Sequence, residues 1–526
     1  MEEQKSAINA PSVILKDFTV KPLFTKRNID IVLTAVLVLL SVFGVSALFW
    51  ENLSLGYTLV YDAALIIISG FLFKRGKKPN VSFLICGILS FVCSWSFFMT
   101  SNVAVKVISL FATAVSAVVW FSSAAGKEYG GGDYGLIVYF FTAVYRTFDD
   151  LSRVFKSLFS RSENKSKTVS NILIGIACAI PAVLIIVPIL ANADDAFSAL
   201  INGIFDDYFT LIQKIILGVL ASVFVISLVF SLKYNTEQYK SKELSIKANN
   251  TSVSAFLFVL CFVYSVYLFS QLAYFFSAFS SILPKGYKFT YAQYARRGFF
   301  ELCIISVINL FFIFAAIVIS EKKDGKVSLS IKLPSAFIVF FTFLIITTAI
   351  SKMIMYVGVF GCTVLRVCTS AFMVWLLILF ICLLIRIFVK EFDFLKAGLI
   401  SALIILCVLG IGNVNRQIAR YNYNAYIQGK IKMDVEYMAD LGDDGIPYLY
   451  KLTKDKDSKV ANKAISALND KYTEYYNITV SKEYMFKDYD KHEKVYNSFG
   501  RYSIPKARAY KTLKKYAKTI HGILYD

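Results

Sequence analysis

Ionisable side chains set inside long apolar runs are the first residues of this chain whose type and position invite chemistry. A charge at the centre of a bilayer costs about 2.5–3.5 kcal/mol on insertion scales, so it persists only where a partner or a function holds it. Asp62 lies deepest, well inside the run Leu53 to Phe73. It can carry a proton or a cation in a coupled transporter, or it can be a carboxylate kept neutral or paired within a helix bundle. Tyr61-Asp62 also matches half of an intramembrane aspartyl-protease site, but no second Gly-x-Gly-Asp lies on another run, which excludes that reaction. Lys106, Lys214 and Lys352 stand near the ends of their runs, and Arg296, Arg297, Glu301 and Arg366 fall at similar depth. Gathered laterally, these groups form a cationic site suited to a phosphate, with arginine forks giving bidentate contacts. Taken singly, they are lysines reaching for the interface.

Asp194, Asp195, Asp206 and Asp207 lie in a stretch without lysine or arginine and offer oxygen ligands for a divalent cation. Asp195 and Asp206 are about 16 Å apart along a helix, too far to share one ion. The plainer role is helix capping by Asp194 and a solvated acidic face, so no metal site is expected. Gly-x-x-x-x-Gly-Lys-Ser/Thr, His-Glu-x-x-His, Gly-x-Ser-x-Gly and Cys-x-x-Cys are all absent, and no histidine precedes His492. An ATPase, a zincin or a histidine kinase is therefore excluded, and no cofactor is expected.

The elements that must position these groups are membrane helices. The chain has 526 residues, 57% of them hydrophobic and 16% aromatic, with a mean hydropathy of +0.60. Soluble domains are closer to half apolar. Eleven runs are long enough to cross a hydrocarbon core of ~30 Å, which takes roughly 20 helical residues. They are Ile29 to Trp50, Leu53 to Phe73, Asn80 to Met99, Val103 to Ser122, Ser170 to Ala191, Phe209 to Leu232, Val253 to Phe279, Gly298 to Ser320, Ser335 to Val357, Ser370 to Lys390 and Ala397 to Asn413. The fold class expected is all-α: a polytopic helical bundle with a small extracytoplasmic helical domain at its C-terminus.

Alternating the connections between two sides places 27 cations on the side of residues 1–28 and five on the other. By the positive-inside rule the N-terminus is cytoplasmic and residues 414–526 are exported. The net charge of +20 is then a topology signal and not a nucleic-acid footprint. The nine cysteines lie in or beside apolar runs, so no disulfide framework is expected; Cys362 and Cys368 can bridge in an outer loop or stay as buried thiols.

Within the 123–169 loop, Leu136 to Phe159 interleaves aromatics with Arg146, Asp149, Asp150, Arg153 and Lys156, an amphipathic helix on the cytoplasmic face or, less well, a twelfth span. Phe197, Leu200, Ile201, Ile204, Phe205 and Tyr208 predict a short helix lying on the outer surface. The last 113 residues hold 21 cations and 14 anions. There, Asp434 to Leu441, Ile446 to Leu452 and Ser458 to Tyr472 alternate helical patterns with Gly442-Asp443-Asp444-Gly445 and Lys454-Asp455-Lys456-Asp457 breaks, like one HEAT-type unit.

Thr290-Tyr291-Ala292-Gln293 is a capping box opening a helix that enters the membrane at Gly298, and Arg297 pairs with Glu301 across one turn. The whole stretch Thr290-Tyr291-Ala292-Gln293-Tyr294-Ala295-Arg296-Arg297-Gly298-Phe299-Phe300-Glu301-Leu302 resembles a family of bacterial polytopic membrane proteins classed as domains of unknown function, the 4173 and 4153 classes. Asn192 to Phe197 and Ile418-Ala419-Arg420-Tyr421-Asn422 are similar to that family too, a likeness running from about span five to residue 470. It implies bacterial membrane residence and no particular activity. Tyr291 and Tyr294 join the cations beside them as ligand-binding candidates.

The expectation for function is a non-enzymatic protein that binds or moves an anionic envelope component, a lipid or lipid-linked precursor, at outer cationic residues. The alternatives are a sensor or scaffold whose exported domain, at a net +7, engages an anionic polymer or a partner protein, and a membrane-embedded transferase using the outer aspartates. The partners expected are the bilayer and one of these ligands, not nucleic acid.

Overall fold

The computed structural model describes residues 21–25, 27–50, 53–73, 79–130, 132–159, 186, 190, 193–237, 247–280, 299–322, 327–476 and 501–524, without the side chains of 159, 195–209, 211, 271–280, 299, 518 and 520–524. Among these residues no strand forms; a lone parallel bridge joins Ala248 to Ser320. Inside a bilayer every backbone polar group must be bonded within the segment, and long apolar sequences meet that demand as helices. They are α1 (Asn28–Phe49), α2 (Leu55–Leu72), α3 (Val81–Ser94), α4 (Ser96–Met99), α5 (Val103–Ala124), α6 (Gly135–Asp149), α7 (Leu151–Phe159), α8 (Asp195–Tyr234), α9 (Asn250–Ser280), α10 (Phe299–Ile319), α11 (Leu329–Phe360), α12 (Val364–Phe388) and α13 (Phe394–Ile411).

Ten stretches among the described residues are long and apolar enough to cross a membrane, with α3 and α4 together making one and the Ile212–Tyr234 part of α8 another. The chain is a multi-pass membrane protein built as a helical bundle. The expected span over 170–191 lies outside the described residues, apart from Ile186 and Leu190. The described ends on either side of it stand at opposite ends of the bundle. Ser157 of α7 accepts from the Leu23 amide at 2.7 Å, near the start of α1, whereas Lys214 of α8 lies over Trp50, past the other end of α1.

Two apolar cores organise the spans. One joins α1, α2, α3 and α5 to α6, α7 and α8 through Leu37, Leu72, Phe83, Trp120 and Phe230. The other joins α9 to α12 through Leu257, Ile313, Ile345 and Phe380, and α13 bridges the two by packing on α3, α5 and α12. Close approach needs small residues: a Cβ on Gly218 of α8 would overlap the Val42 backbone of α1.

The expected amphipathic helix is two helices, α6 and α7, of 15 and 9 residues, each too short to span. The break falls at buried Asp150, whose carboxylate accepts from Ser231 Oγ at 2.6 Å, Asn235 Nδ2 at 2.7 Å and Arg153 at 2.9 Å. The short outer helix predicted around Phe197–Tyr208 is not separate. It continues into the span as the 40-residue α8, because nothing between Asp206 and Phe209 breaks a helix.

Beyond Asn413, whose left-handed backbone (φ 50°) turns the chain and caps α14 (Val414–Ile427), a helical domain forms. It comprises α15 (Val435–Asp440), a 3-10 turn (Gly442–Asp444), α16 (Ile446–Leu452), α17 (Ser458–Tyr476) and α18 (Ile504–Leu524). Ile418, Met438, Leu449, Leu468 and Leu513 fill its core. The HEAT-like alternation is realised by α15 to α17 within a domain that α14 and α18 complete.

Candidate functional site

A cavity of about 660 Å³ lies between the C-terminal domain and the ends of α1, α2 and α5 farthest from Asn28. The membrane side supplies Leu48, Trp50, Leu53, Ser54, Ser101, Val103, Lys106 and Val107; the domain supplies Asp443, Glu474, Tyr475, Arg501, Ser503 and Lys506.

Local sequence sets these groups. Asn102 caps α5 by accepting from Val105 N at 2.9 Å, which places Lys106 on the first turn. Leu53 adopts a left-handed backbone (φ 49°), and its carbonyl accepts from Lys106 Nζ at 2.8 Å. The Lys214 ammonium lies 5.6 Å from the centre of the Trp50 ring, a cation–π contact on the same wall.

The domain is fastened by a buried polar cluster. Asp444 accepts from Ser101 Oγ at 2.6 Å and from Asn413 Nδ2 at 2.8 Å. Asn415 donates to Ser101 Oγ at 3.1 Å and accepts from Asn102 Nδ2 at 2.7 Å. The Leu55 amide at the start of α2 donates to Tyr502 O at 3.0 Å. These bonds hold Asp443, one residue from Asp444, at the cavity wall, where the Tyr475 hydroxyl donates to it.

Burial raises the Asp443 carboxyl above the ordinary carboxylate range, against the Tyr475 hydrogen bond and the charges of Lys506, Lys106 and Lys471. Burial raises Asp444 too, opposed by Ser101 and Asn413. Burial lowers Lys506, with Asp443 opposing. Three helix starts also face the cavity: Ser54 precedes α2, Ser101 and Asn102 precede α5, and the Ser503 carbonyl takes the first bond of α18 from Ala507 N at 3.0 Å. Positive helix ends and three cations outweigh two carboxylates, so the cavity favours an anion.

Of the candidates read from sequence, Lys106 lines this cavity and Lys214 backs its tryptophan wall. Lys352 lies on α11 in the other half, in electrostatic contact with Glu301. Arg366 covers the end of α11: it donates to Phe360 O at 3.2 Å and to Gly361 O, and its guanidinium lies 4.3 Å from the Tyr356 ring centre. The outer cations therefore occupy separate places, because α9 to α12 pack around their own core. Asp62 is buried and accepts from Ser94 Oγ at 2.7 Å; its neighbour Tyr61 bonds separately to Ser90 Oγ and to the Thr113 carbonyl. Asp194 precedes α8 and is exposed. The side chains of Asp195, Asp206 and Asp207, and the residues Tyr291, Tyr294, Arg296 and Arg297, lie outside the described residues. Among the described residues no three His, Cys, Asp or Glu side chains gather as a metal site requires, and Cys362 and Cys368 are free thiols.

Asn422, in the stretch Ile418 to Asn422, clamps the α11–α12 turn: it donates to Cys362 O at 2.8 Å and accepts from Cys362 N at 2.7 Å. Gly361 beside it has φ +76°, and a Cβ there would lie 2.9 Å from Asn422 Oδ1, so the turn needs glycine twice over. The sequence profile of the family described as Domain of unknown function (DUF4153) matches residues 85–452. The chain belongs to this family. The DUF4153 match begins at residue 85, in span three, well before the span-five start expected from the motifs, and it ends at the close of α16. It thus takes in Ser101, Lys106, Asp443 and Asp444, while Arg501 and Lys506 lie beyond it. No curated protein and no solved structure matches the chain.

Sequence reasoning missed Asp443, Asp444, Arg501 and Lys506. The one available signal was the glycine-flanked pair Gly442-Asp443-Asp444-Gly445, read only as a helix break.

Proposed function

We propose that this membrane protein binds, and in binding passes on, an anionic envelope component at the cavity beneath its C-terminal domain, with the N-terminus cytoplasmic and the cavity on the extracytoplasmic side of a bacterial cell membrane. The observation that carries this reading is the convergence of Lys106, Lys506 and Arg501 on one cavity at the meeting of spans and domain. A phosphate there gains charge-assisted hydrogen bonds from ammonium and guanidinium donors, and Trp50, Val103 and Val107 offer apolar contact beside it. Native mass spectrometry of the gently solubilised chain tests the reading. A co-purifying phosphate compound should be lost in Lys106→Ala and Lys506→Ala and kept in Lys352→Ala; retention in both cavity variants would overturn it.

A scaffold role draws on α18, which carries Lys506, Arg508, Lys511, Lys514, Lys515 and Lys518 and no acidic residue. The charge suits an anionic polymer. Under that reading, replacing Lys511 and Lys515, both exposed, should weaken polymer binding and leave the cavity ligand in place.

A further inference from the structure

Resting on that reading, we infer that the cavity takes its ligand sideways from the bilayer: the occupant is a phosphate-bearing lipid whose head lies against Lys106 and whose acyl chain lies along Val103, Val107 and Phe111 of α5. The three apolar residues recur every four positions and so form one stripe along the helix. They are 72%, 42% and 68% exposed, and the first two also line the cavity. The stripe is therefore continuous from the lipid-facing surface of α5 to the cavity wall. Lys106, adjacent to Val107 in sequence, brings its ammonium to the Leu53 carbonyl on the cavity side, so the charge stands at the head of the stripe.

The opposite jamb of the opening is the end of α1, where Leu48 and Trp50 line the cavity. The chief packing partners of α1 are α8 and α2, and those of α5 are α3 and α13. The two helices flank the cavity, and α2, preceded at the cavity wall by Leu53 and Ser54, packs on both. The membrane half of the lining mixes Leu48, Val103 and Val107 with one cation, as an amphiphile requires. The charge balance selects the head. Lys106, Arg501 and Lys506 against Asp443 and Glu474 leave one positive charge in excess, which a phosphodiester anion neutralises.

The test compares a lipid with its own soluble head. The full chain is reconstituted in phosphatidylcholine vesicles containing phosphatidylglycerol, and bound phosphatidylglycerol is counted by native mass spectrometry after extraction; glycerol phosphate binding is measured separately on the detergent-solubilised chain. Phe111→Asp, and Phe111→Gln as a second variant, put a polar group on the stripe outside the cavity lining, and Lys106→Gln removes the head contact. We expect Phe111→Asp to lower lipid retention by about tenfold or more and Phe111→Gln to lower it less, while glycerol phosphate still binds both, which also reports that the cavity is folded. Lys106→Gln should weaken both ligands. Unchanged lipid retention in both Phe111 variants, with loss in Lys106→Gln, overturns the lateral route and leaves the cavity reading standing. Unchanged binding of both ligands in Lys106→Gln overturns the cavity reading and the lateral route together. Glycerol phosphate bound as tightly as the lipid would show a site for soluble anions and also overturn the lateral route.

Discussion

Asp443 is the residue on which the charge of the cavity turns. Its carboxyl faces Lys106, Lys506, Lys471 and the Tyr475 hydroxyl, and burial nonetheless holds it above the ordinary carboxylate value of about 3.9. A carboxyl raised on folding contributes stability fully below its unfolded value and loses that contribution as pH rises through its folded one. Within the cavity the same titration sets anion affinity. As pH falls from neutrality through the raised value, Asp443 becomes neutral while the lysines keep their charge, and an anion gains. Phosphate-ligand affinity measured against pH should therefore rise toward acid before ordinary carboxylates titrate. In Asp443→Asn it should be higher at neutral pH and nearly flat across that window; a profile as steep as that of the unmodified chain would remove Asp443 from the site.

At the scale of elements, the two halves are tied at the end opposite the cavity by Asp133, which follows α5 and is almost wholly buried. Its carboxylate pairs with Arg386 at the end of α12 at 2.6 Å and with Lys322 after α10. Nearby, Tyr129 donates to Asp393 at 2.6 Å and Lys396 pairs with Asp393 at 3.1 Å. Removing one partner of a buried pair leaves an uncompensated charge, at a cost of about 3–5 kcal/mol. Asp133→Asn should lower thermal stability in detergent on that scale. Asp133→Leu combined with Arg386→Met should recover much of the loss, whereas a stability unchanged in Asp133→Asn would mean the halves are held by apolar packing alone. The helices themselves were legible from sequence because span length and hydropathy are local properties. So was the HEAT-like alternation of α15 to α17. The joins were not. Ser101 and Asp444 lie 343 positions apart, and neither carries a local pattern distinguishing a tie between domains from a loop residue or a helix break. Lys106 was legible as a charge within a span, but its cavity partners Arg501 and Lys506 belong to a domain where cations are common. Arg366 had the same signal as Lys106 and instead covers a helix end, because charge and depth do not determine lateral position.

For the whole molecule, the cavity has meaning only with a side. The start of α1 and the C-terminal domain stand at opposite ends of the bundle: Arg27 donates to Tyr234 at 2.6 Å at one end, and Leu55 pairs with Tyr502 at the other. Among the described residues, Arg27, Lys127, Arg146, Lys233, Lys322, Arg386 and Lys396 stand at the Arg27 end, and the last three are held in ion pairs. Pairing lowers their value as free charge, yet the positive-inside rule counts lysine and arginine and gives acidic residues little weight. The start of α1 should then face the cytoplasm and the domain the exterior. A fluorescent reporter that matures only in the cytoplasm should stay dark when fused after Asp526, and a phosphatase active only outside should turn on there. The reverse pattern would put Lys106, Arg501 and Lys506 on the cytoplasmic side, where the same cavity would draw its lipid from the inner leaflet. The charge of the anion would still fit, but an exported envelope component would no longer be its source.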